Sequence, residues 1–377
     1  MAERDARSLL DLVRPLLAEG PAAGARESTT ASRVAPGRLR EALARTFAAV
    51  PAPAGTTASV DAGAHAAAEN VVQHALAALR ADSGGASPSN LTDEQRSSLE
   101  AIVYVTGRPA LRYRNGHVQM PDDDLGENGR WRVLVATQRS RIDRGSASVG
   151  RVALLTSAGT EPLGTAWRAG QDLVVTNRHV ACRLVADAAA AAATWHVDAA
   201  KPAVVEFGIT DDSQAARRVA VKELVYCADM ESSDIAILRL ETGGALPEAL
   251  RIDWSLDTLG RERPDGFEGR SIYIVGHPYR DLPSSASIGV FGRADGSKRC
   301  APGRITQLAN AGPRVEHDCS TLGGNSGSCM FAADTHVVVG LHVGGRGVNE
   351  ETGRGEANVG LAMARLAPGA FADLVRA

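Results

Sequence analysis

The sequence lacks several features that would point to particular classes of function. Its 377 residues carry a formal net charge of only −3, so neither a nucleic acid nor an anionic membrane is an expected partner. No apolar run is long enough to span a bilayer. The first apolar stretch is interrupted by Asp11, Arg14 and Pro15 and follows charges of both signs, which does not fit a secretion signal. A cytoplasmic location is therefore expected.

Cysteine is also scarce, and its arrangement argues against a chemical role. The number is odd, and the sequence contains no C-x-x-C pair. All five lie within or beside apolar stretches, where a free cysteine behaves as a small buried hydrophobe. They are Cys182, Cys227, Cys300, Cys319 and Cys329. A disulfide between Cys300 and Cys319 stays open at this stage. Neither a metal site nor a cofactor is expected.

One stretch near the C-terminus has the composition of a nucleophile turn. Residues 318–328 read DCSTLGGNSGS, with Ser326 behind a glycine pair and in front of another glycine. Glycine allows the backbone to bend sharply, so the N–H groups of Gly324 and Ser326 can be directed at a developing oxyanion. The alternative is a surface turn rich in glycine and serine. The segment alone does not decide between the two.

Two earlier segments supply the partners that a nucleophilic serine needs. His179 follows an apolar, β-branched stretch, and Asp234 lies directly before the apolar run 235–240. A serine hydroxyl becomes nucleophilic when an imidazole takes its proton and a carboxylate orients that imidazole. His179, Asp234 and Ser326 are therefore the predicted general base, orienting acid and nucleophile. Alternatively His179 is a core histidine and Asp234 caps a strand, or Asp229 in the preceding loop is the acid.

The spacing of apolar runs after residue 148 predicts a mainly β fold. Short strands recur with spacers rich in glycine, proline and aspartate, which are too short for the helices of a parallel sheet. Two antiparallel barrels with the site in the cleft between them fit this pattern. Helices are expected at 130–144, at the alanine-rich 181–193 and at the closing segment 368–377. Asn115-Gly116 between extended flanks predicts a hairpin.

Three segments carry a resemblance to a known family: TNRHV (176–180), SDIAILRL (233–240) and TLGGNSGS (321–328). They resemble the trypsin-like serine peptidases, specifically the bacterial branch that includes the glutamyl endopeptidases, over roughly residues 145–377. The resemblance implies two chymotrypsin-type barrels, a serine endopeptidase acting through an acyl-enzyme, and a protein or peptide substrate. Secreted animal relatives carry cysteines where this chain has Val180 and Leu322, so the usual disulfides are absent.

The resemblance also implies where the substrate side chain before the cut would bind. Trypsin-like specificity requires an aspartate at the position that Ser320 occupies here, so a basic side chain would find no counter-charge. The expected pocket consists of Ser320, Thr321, His342 and Gly344, and it resembles that of the glutamyl endopeptidases. We therefore expect cleavage after Glu and less readily after Asp, with a rate that falls as the pH rises and an imidazolium is lost. Alternatively His342 is a structural residue under the cleft.

The chain ahead of the barrels divides into two expected parts. Helical periodicity over residues 1–105 predicts a small α-helical adaptor or regulatory domain that could bind a protein partner. Residues 106–145 form a connector with a hairpin and a helix, and 146–377 form the peptidase domain. Asn325 stands where trypsin-type zymogens have the aspartate that pairs with a new N-terminus, so regulation is expected through residues 1–105 instead. The alternative function is a catalytically silent peptide-binding module.

Overall fold

The computed structural model describes most of the chain from residue 108 onward. The described ranges are 108–121, 127–188, 192–213, 216–228, 233–255, 269–279, 290–291, 294–348, 355–366 and 369–376. The expected helical domain at 1–105 and the alternative acid Asp229 lie outside them.

The described elements are mostly strands. Three α-helices accompany them: α1 (Glu127–Ala147), α2 (Arg178–Ala181) and α3 (Ala370–Arg376). The strands, in chain order, are β1 (Leu111–Arg114), β2 (His117–Val118), β3 (Val149–Thr156), β4 (Gly159–Arg168), β5 (Leu173–Thr176), β6 (Ala203–Phe207), β7 (Arg217–Cys227), β8 (Ala236–Leu240), β9 (Ser271–Gly276), β10 (Arg299–Leu308), β11 (Arg314–His317), β12 (Cys329–Ala332), β13 (Val338–Val348) and β14 (Gly355–Ala362).

The first six strands after α1 close into an antiparallel barrel. Their order around the barrel is β3-β4-β5-β8-β7-β6. Strand β5 pairs with β8 so that Thr176 lies opposite Ala236, although 60 residues separate them in the sequence. Buried aliphatic side chains such as Val152, Val205 and Leu238 fill the interior. The apolar residues that predicted these strands therefore supply the core of this barrel.

A second antiparallel barrel follows, formed by β11-β14-β13-β12-β9-β10. Pairing of β10 with β11, which begins at Ile305 opposite His317, closes it. Ile272, Met330 and Val339 are among its buried core residues. The two barrels confirm the predicted mainly β, chymotrypsin-type fold. The last helix, α3, buries Phe371 and Ala372, as expected for a closing helix.

The connector adds to the second barrel. Strand β1 pairs with β10, placing Leu111 opposite Cys300, and turns back into β2. The turn uses Asn115 at φ 50° and Gly116 at φ 75°, which is the left-handed backbone that an Asn-Gly hairpin requires. Helix α1 extends beyond the predicted 130–144 at both ends and buries Trp131 on the side facing the protein.

Two expectations about local structure are wrong. The alanine-rich segment 181–193 is not a continuous helix, because α2 ends at Ala181, a 3₁₀ turn covers Cys182–Leu184, and Val185 is extended and bridges to Val197. Alanine has a high helix propensity, but the tertiary pairing of Val185 with Val197 overrides it here. The predicted strands also omitted β11 and β12, because neither contains a run of β-branched apolar residues.

All five cysteines are free, including the buried Cys300 and Cys319. Among the described helices, none has the length and apolarity needed to cross a membrane.

Candidate active site

The pairing of β5 with β8 brings His179 and Asp234 together. His179 lies three residues after the end of β5 on the short helix α2, and Asp234 lies two residues before β8. Asp234 Oδ2 is 2.5 Å from the ring nitrogen Nδ1 of His179. Its other oxygen, Oδ1, accepts a hydrogen bond of 2.9 Å from the backbone N–H of His179. One carboxylate thus fixes both the imidazole and the backbone from which it projects.

Asn177 holds Asp234 from the other side. Its side-chain amide Nδ2 donates to the backbone carbonyl of Asp234 at 2.8 Å, and the residue is fully buried. Sequence reasoning included Asn177 only as part of a motif and gave it no role. The side chains of His179 and Asp234 remain 13% and 27% exposed, so the pair lies at the surface of the molecule, where a substrate can reach it.

The segment around Ser326 is a tight turn built on two glycines. Gly324 has φ +103° and Gly327 has φ +87°, a conformation that L side chains rarely adopt. A Cβ atom on Gly324 would lie 2.4 Å from Cδ1 of Tyr279. Asn325 N donates to the carbonyl of Leu322 at 3.0 Å, which tightens the turn. The glycines that suggested a nucleophile turn in the sequence are therefore required by this backbone.

Thr165 of the first barrel holds this turn of the second barrel. Its backbone N–H donates to the carbonyl of Ser326 at 2.8 Å, and its hydroxyl donates to the carbonyl of Gly324 at 2.8 Å. The same hydroxyl accepts a hydrogen bond of 3.0 Å from the backbone N–H of His277. Thr165 is fully buried, so these bonds are shielded from water. The sequence had indicated only a strand at this position.

The neighbourhood of Gly164 shows how closely α2 approaches the serine turn. A Cβ on Gly164 would lie 2.7 Å from Cγ2 of Val180 and 3.1 Å from the carbonyl oxygen of Ser326. Val180 is the residue after His179, so the histidine's helix and the serine turn pack against the same glycine. The Ser326 hydroxyl donates to the carbonyl of Val343 at 3.3 Å.

The residues expected to form the pocket fall into two groups. Thr321 and His342 are fully buried and lie on neighbouring segments of the second barrel. The Thr321 hydroxyl donates to Oδ1 of Asn358 at 2.6 Å, and Asn358 Nδ2 donates to the carbonyl of Cys319 at 2.6 Å. Gly344 is buried beside a register irregularity in the pairing of β13 with β14.

Ser320 makes a different contact. Its hydroxyl donates to the backbone carbonyl of Arg108 in the connector at 2.7 Å. Neither Asn358 nor Arg108 was identified from the sequence, because an isolated asparagine or arginine carries no motif.

His342 is neutral at neutral pH, which corrects one expectation. Its Nδ1 lies 3.1 Å from Nε2 of His317, and within the described residues its own Nε2 is buried without a hydrogen-bond partner. Burial, with smaller effects of His317 and His179, holds the pKa of His342 well below its usual value. Burial also lowers the pKa of His317 to about 3. The imidazolium expected in the pocket is therefore absent at neutral pH. The expected fall in rate with rising pH loses its physical cause, because His342 has no proton to lose in that range.

Across the described ranges, no three His, Cys, Asp or Glu side chains are grouped so that they could hold a metal ion.

Comparison with known proteins bears on the fold. Residues 164–341 match the family model described as trypsin-like peptidase domain, a span that includes His179, Asp234 and Ser326. The fold is trypsin-like. The match supports a peptidase, a hydrolase whose substrates are peptides or proteins. Comparison with curated protein sequences gave no match.

Two similar solved structures are those of proteases. The Rv3671c protease from M. tuberculosis in its active form is 17% identical over 62% of this chain and 83% of that chain, with a TM-score of 0.37. The thermostable serine protease AL20 from an extremophilic microorganism is 16% identical over 62% of this chain and 96% of that chain, with a TM-score of 0.40.

Proposed function

We propose that this trypsin-like domain is a serine endopeptidase in which Ser326 is the nucleophile, His179 the general base and Asp234 its orienting carboxylate. The observation that carries the proposal is the double contact of Asp234 with the ring and the backbone of His179. A carboxylate on Nδ1 leaves Nε2 as the basic nitrogen and stabilises the imidazolium that forms when a proton is accepted. A core histidine or a strand cap does not need both contacts.

The acylation step follows from these roles. His179 Nε2 takes the Ser326 hydroxyl proton while Oγ attacks the carbonyl carbon of the scissile peptide bond. The negative charge then moves to the former carbonyl oxygen, where the N–H groups of Gly324 and Ser326 would stabilise it. The proton passes from His179 to the leaving amine as the C–N bond breaks, which leaves an acyl-enzyme on Ser326.

Deacylation uses the same groups in reverse. A water molecule attacks the ester carbonyl, His179 accepts its proton, and Ser326 recovers its proton when the acid product leaves. Thr165 would matter in both steps, because its bonds to the carbonyls of Gly324 and Ser326 fix the turn that presents the oxyanion donors.

A peptidase assay on the full-length chain with matched variants tests the proposal. Ser326→Ala should reduce hydrolysis to the residual rate that binding and the oxyanion donors supply, on the order of 10³–10⁴ over water. Asp234→Asn keeps the shape of the side chain but not the charge, and kcat should fall by about 10⁴. A fluorophosphonate probe should label the wild type but not the Ser326→Ala variant. Binding of peptides with no cleavage and no labelling would instead favour the silent peptide-binding module.

We also propose a preference for Glu before the cut, held by neutral donors rather than by an imidazolium. His342 Nε2, which has no hydrogen-bond partner among the described residues, is the donor available to a substrate carboxylate. Its tautomer would carry the proton on Nε2 if His317 donates to Nδ1, and the 3.1 Å distance between these nitrogens permits that arrangement. Thr321 is a weaker candidate, since its hydroxyl donates to Asn358.

Peptides that differ only in Glu or Gln before the cut isolate the effect of the charge. We expect a higher kcat/KM for Glu, with a Glu-to-Gln ratio that stays constant from about pH 6.5 to pH 9, because burial holds the pKa of His342 well below its usual value. A Glu-to-Gln ratio that declines as the pH rises through about 6.5 would instead indicate that a protonated His342 binds the substrate carboxylate. A preference for Arg, Lys or large apolar residues would refute the proposed pocket.

A further inference from the structure

Arg108 connects the segment before the barrels to the chain that leads into the serine turn. Its guanidinium Nη2 lies 2.5 Å from Oδ2 of Asp318, eight residues before Ser326. The two side chains are only 12% and 17% exposed, so the pair is weakly screened by solvent. The guanidinium also lies 5.8 Å from the ring centroid of Trp131, a buried residue of α1.

A second contact involves the backbone of the same residue. The Arg108 carbonyl accepts a hydrogen bond of 2.7 Å from the hydroxyl of Ser320. Arg108 thus reaches two residues of the approach to the nucleophile, Asp318 through its side chain and Ser320 through its main chain. Arg108 is therefore bound to this segment by a main-chain hydrogen bond in addition to the side-chain ion pair.

The residues that Arg108 contacts are themselves fixed to the second barrel. Asp318 Oδ1 accepts a hydrogen bond of 2.6 Å from the backbone N–H of Arg304 on β10, and Asp318 N donates to the Arg304 carbonyl at 3.1 Å. Thr321, which follows Ser320, is bonded to Asn358 on β14. The segment 318–321 is therefore held on one side by β10 and β14 and on the other by Arg108.

We propose that Arg108 is a positioning residue that holds segment 318–321 in the conformation from which the serine turn begins. The inference rests on the proposed peptidase function and deepens it. Through its bonds to Asp318 and Ser320, Arg108 links the chain that precedes it to the segment that leads into the serine turn. A displacement of Arg108 would be transmitted to Asp318 and Ser320 before it reached any other part of the candidate site.

Variants of the full-length chain test this role. Arg108→Gln removes the positive charge of the ion pair, Asp318→Asn removes the negative charge, and the double variant removes both charges. Arg112→Gln is the matched control, since Arg112 lies on β1 with a side chain 45% exposed and a looser ion pair to Asp211 at 3.5 Å. We expect kcat/KM to fall about tenfold in Arg108→Gln and in Asp318→Asn, and to change little in the control. The double variant should be no worse than either single one, and Arg108→Lys should recover part of the rate.

Hydrogen exchange of the amides of residues 318–328 gives a readout that does not depend on catalysis. Exchange should be faster in Arg108→Gln than in the wild type, and unchanged in Arg112→Gln. Equal exchange in the two arginine variants, or additive rate losses in the double variant, would overturn the inference. A wild type that hydrolyses no peptide but shows the exchange difference would refute the proposed function and support the positioning role. Normal hydrolysis by the wild type, with no difference in rate or exchange between the arginine variants, would support the proposed function and refute the positioning role.

Discussion

Gly327 is the position at which a single added methyl group should do the most damage to the candidate site. The residue is buried, has φ +87°, and a Cβ built on it would lie 2.0 Å from the carbonyl oxygen of Thr165 and 2.6 Å from the hydroxyl of Thr176. That carbonyl cannot move easily, because it accepts a hydrogen bond from the Thr176 hydroxyl at 2.7 Å. Gly327→Ala must therefore shift either β4 or the serine turn.

The cost has two parts, and a second glycine separates them. An L residue at positive φ costs about 1–2 kcal/mol, and overpacking of a buried site adds about 1–3 kcal/mol. Gly312 has φ +75° and no atom within 4 Å of its Cβ position, so Gly312→Ala carries the first part only. We expect Gly327→Ala to lose about 2–5 kcal/mol of unfolding free energy and Gly312→Ala about 1–2 kcal/mol. Because a misplacement of about 1 Å costs roughly 10²-fold in rate, peptidase activity should fall by that factor in Gly327→Ala alone.

Urea unfolding and fluorophosphonate labelling of both variants measure the two parts. The reasoning is refuted if Gly327→Ala unfolds within about 1 kcal/mol of Gly312→Ala and is labelled at the wild-type rate. Loss of stability with normal labelling would show that β4 moves and that the serine turn does not.

Three further outcomes are expected. Thr165→Val leaves the Gly324 carbonyl and the His277 N–H without the Thr165 hydroxyl, and each loss should lower the unfolding free energy by about 1–3 kcal/mol. Urea unfolding should show no such loss for Thr156→Val, the control at an exposed threonine. Burial lowers the pKa of His317 to about 3, so the unfolded state binds more protons below pH 6.5; stability should fall as the pH drops from 6.5 towards 3, and less steeply in His317→Phe. Burial lowers the pKa of Lys298 from 10.5 to about 8, so stability should rise between these pH values in the wild type and not in Lys298→Met.

Much of the fold was predictable because it depends on local patterns. Short apolar runs with spacers rich in glycine, proline and aspartate predict strands, and Asn115-Gly116 predicts a hairpin turn, so the barrels and the connector hairpin were expected from neighbours in the sequence. The helix predicted over 181–193 was wrong because a tertiary contact, the bridge between Val185 and Val197, overrides the high helix propensity of alanine. Strands β11 (RVEH) and β12 (CMFA) were missed because neither contains a run of β-branched apolar residues, whereas the equally short β5 (LVVT) does.

The candidate site divides in the same way. His179, Asp234 and Ser326 could be named from residue type and order because few chemical groups can act as base, acid and nucleophile together, and their assignment stays a prediction. Only the register of β5 with β8 gives the distance between the Asp234 carboxylate and the His179 ring.

The supporting residues were decided by tertiary structure alone. Thr165 and Arg108 are ordinary residues in the sequence, and each acquires its role from a hydrogen-bond partner 159 or 212 positions away. The charge state of His342 was also decided by tertiary structure, because its pKa depends on burial and on His317, which lies on β11, the strand beyond β14. Sequence patterns report contacts between near neighbours, whereas hydrogen-bond partners and desolvation are set by which distant segments the barrels bring together.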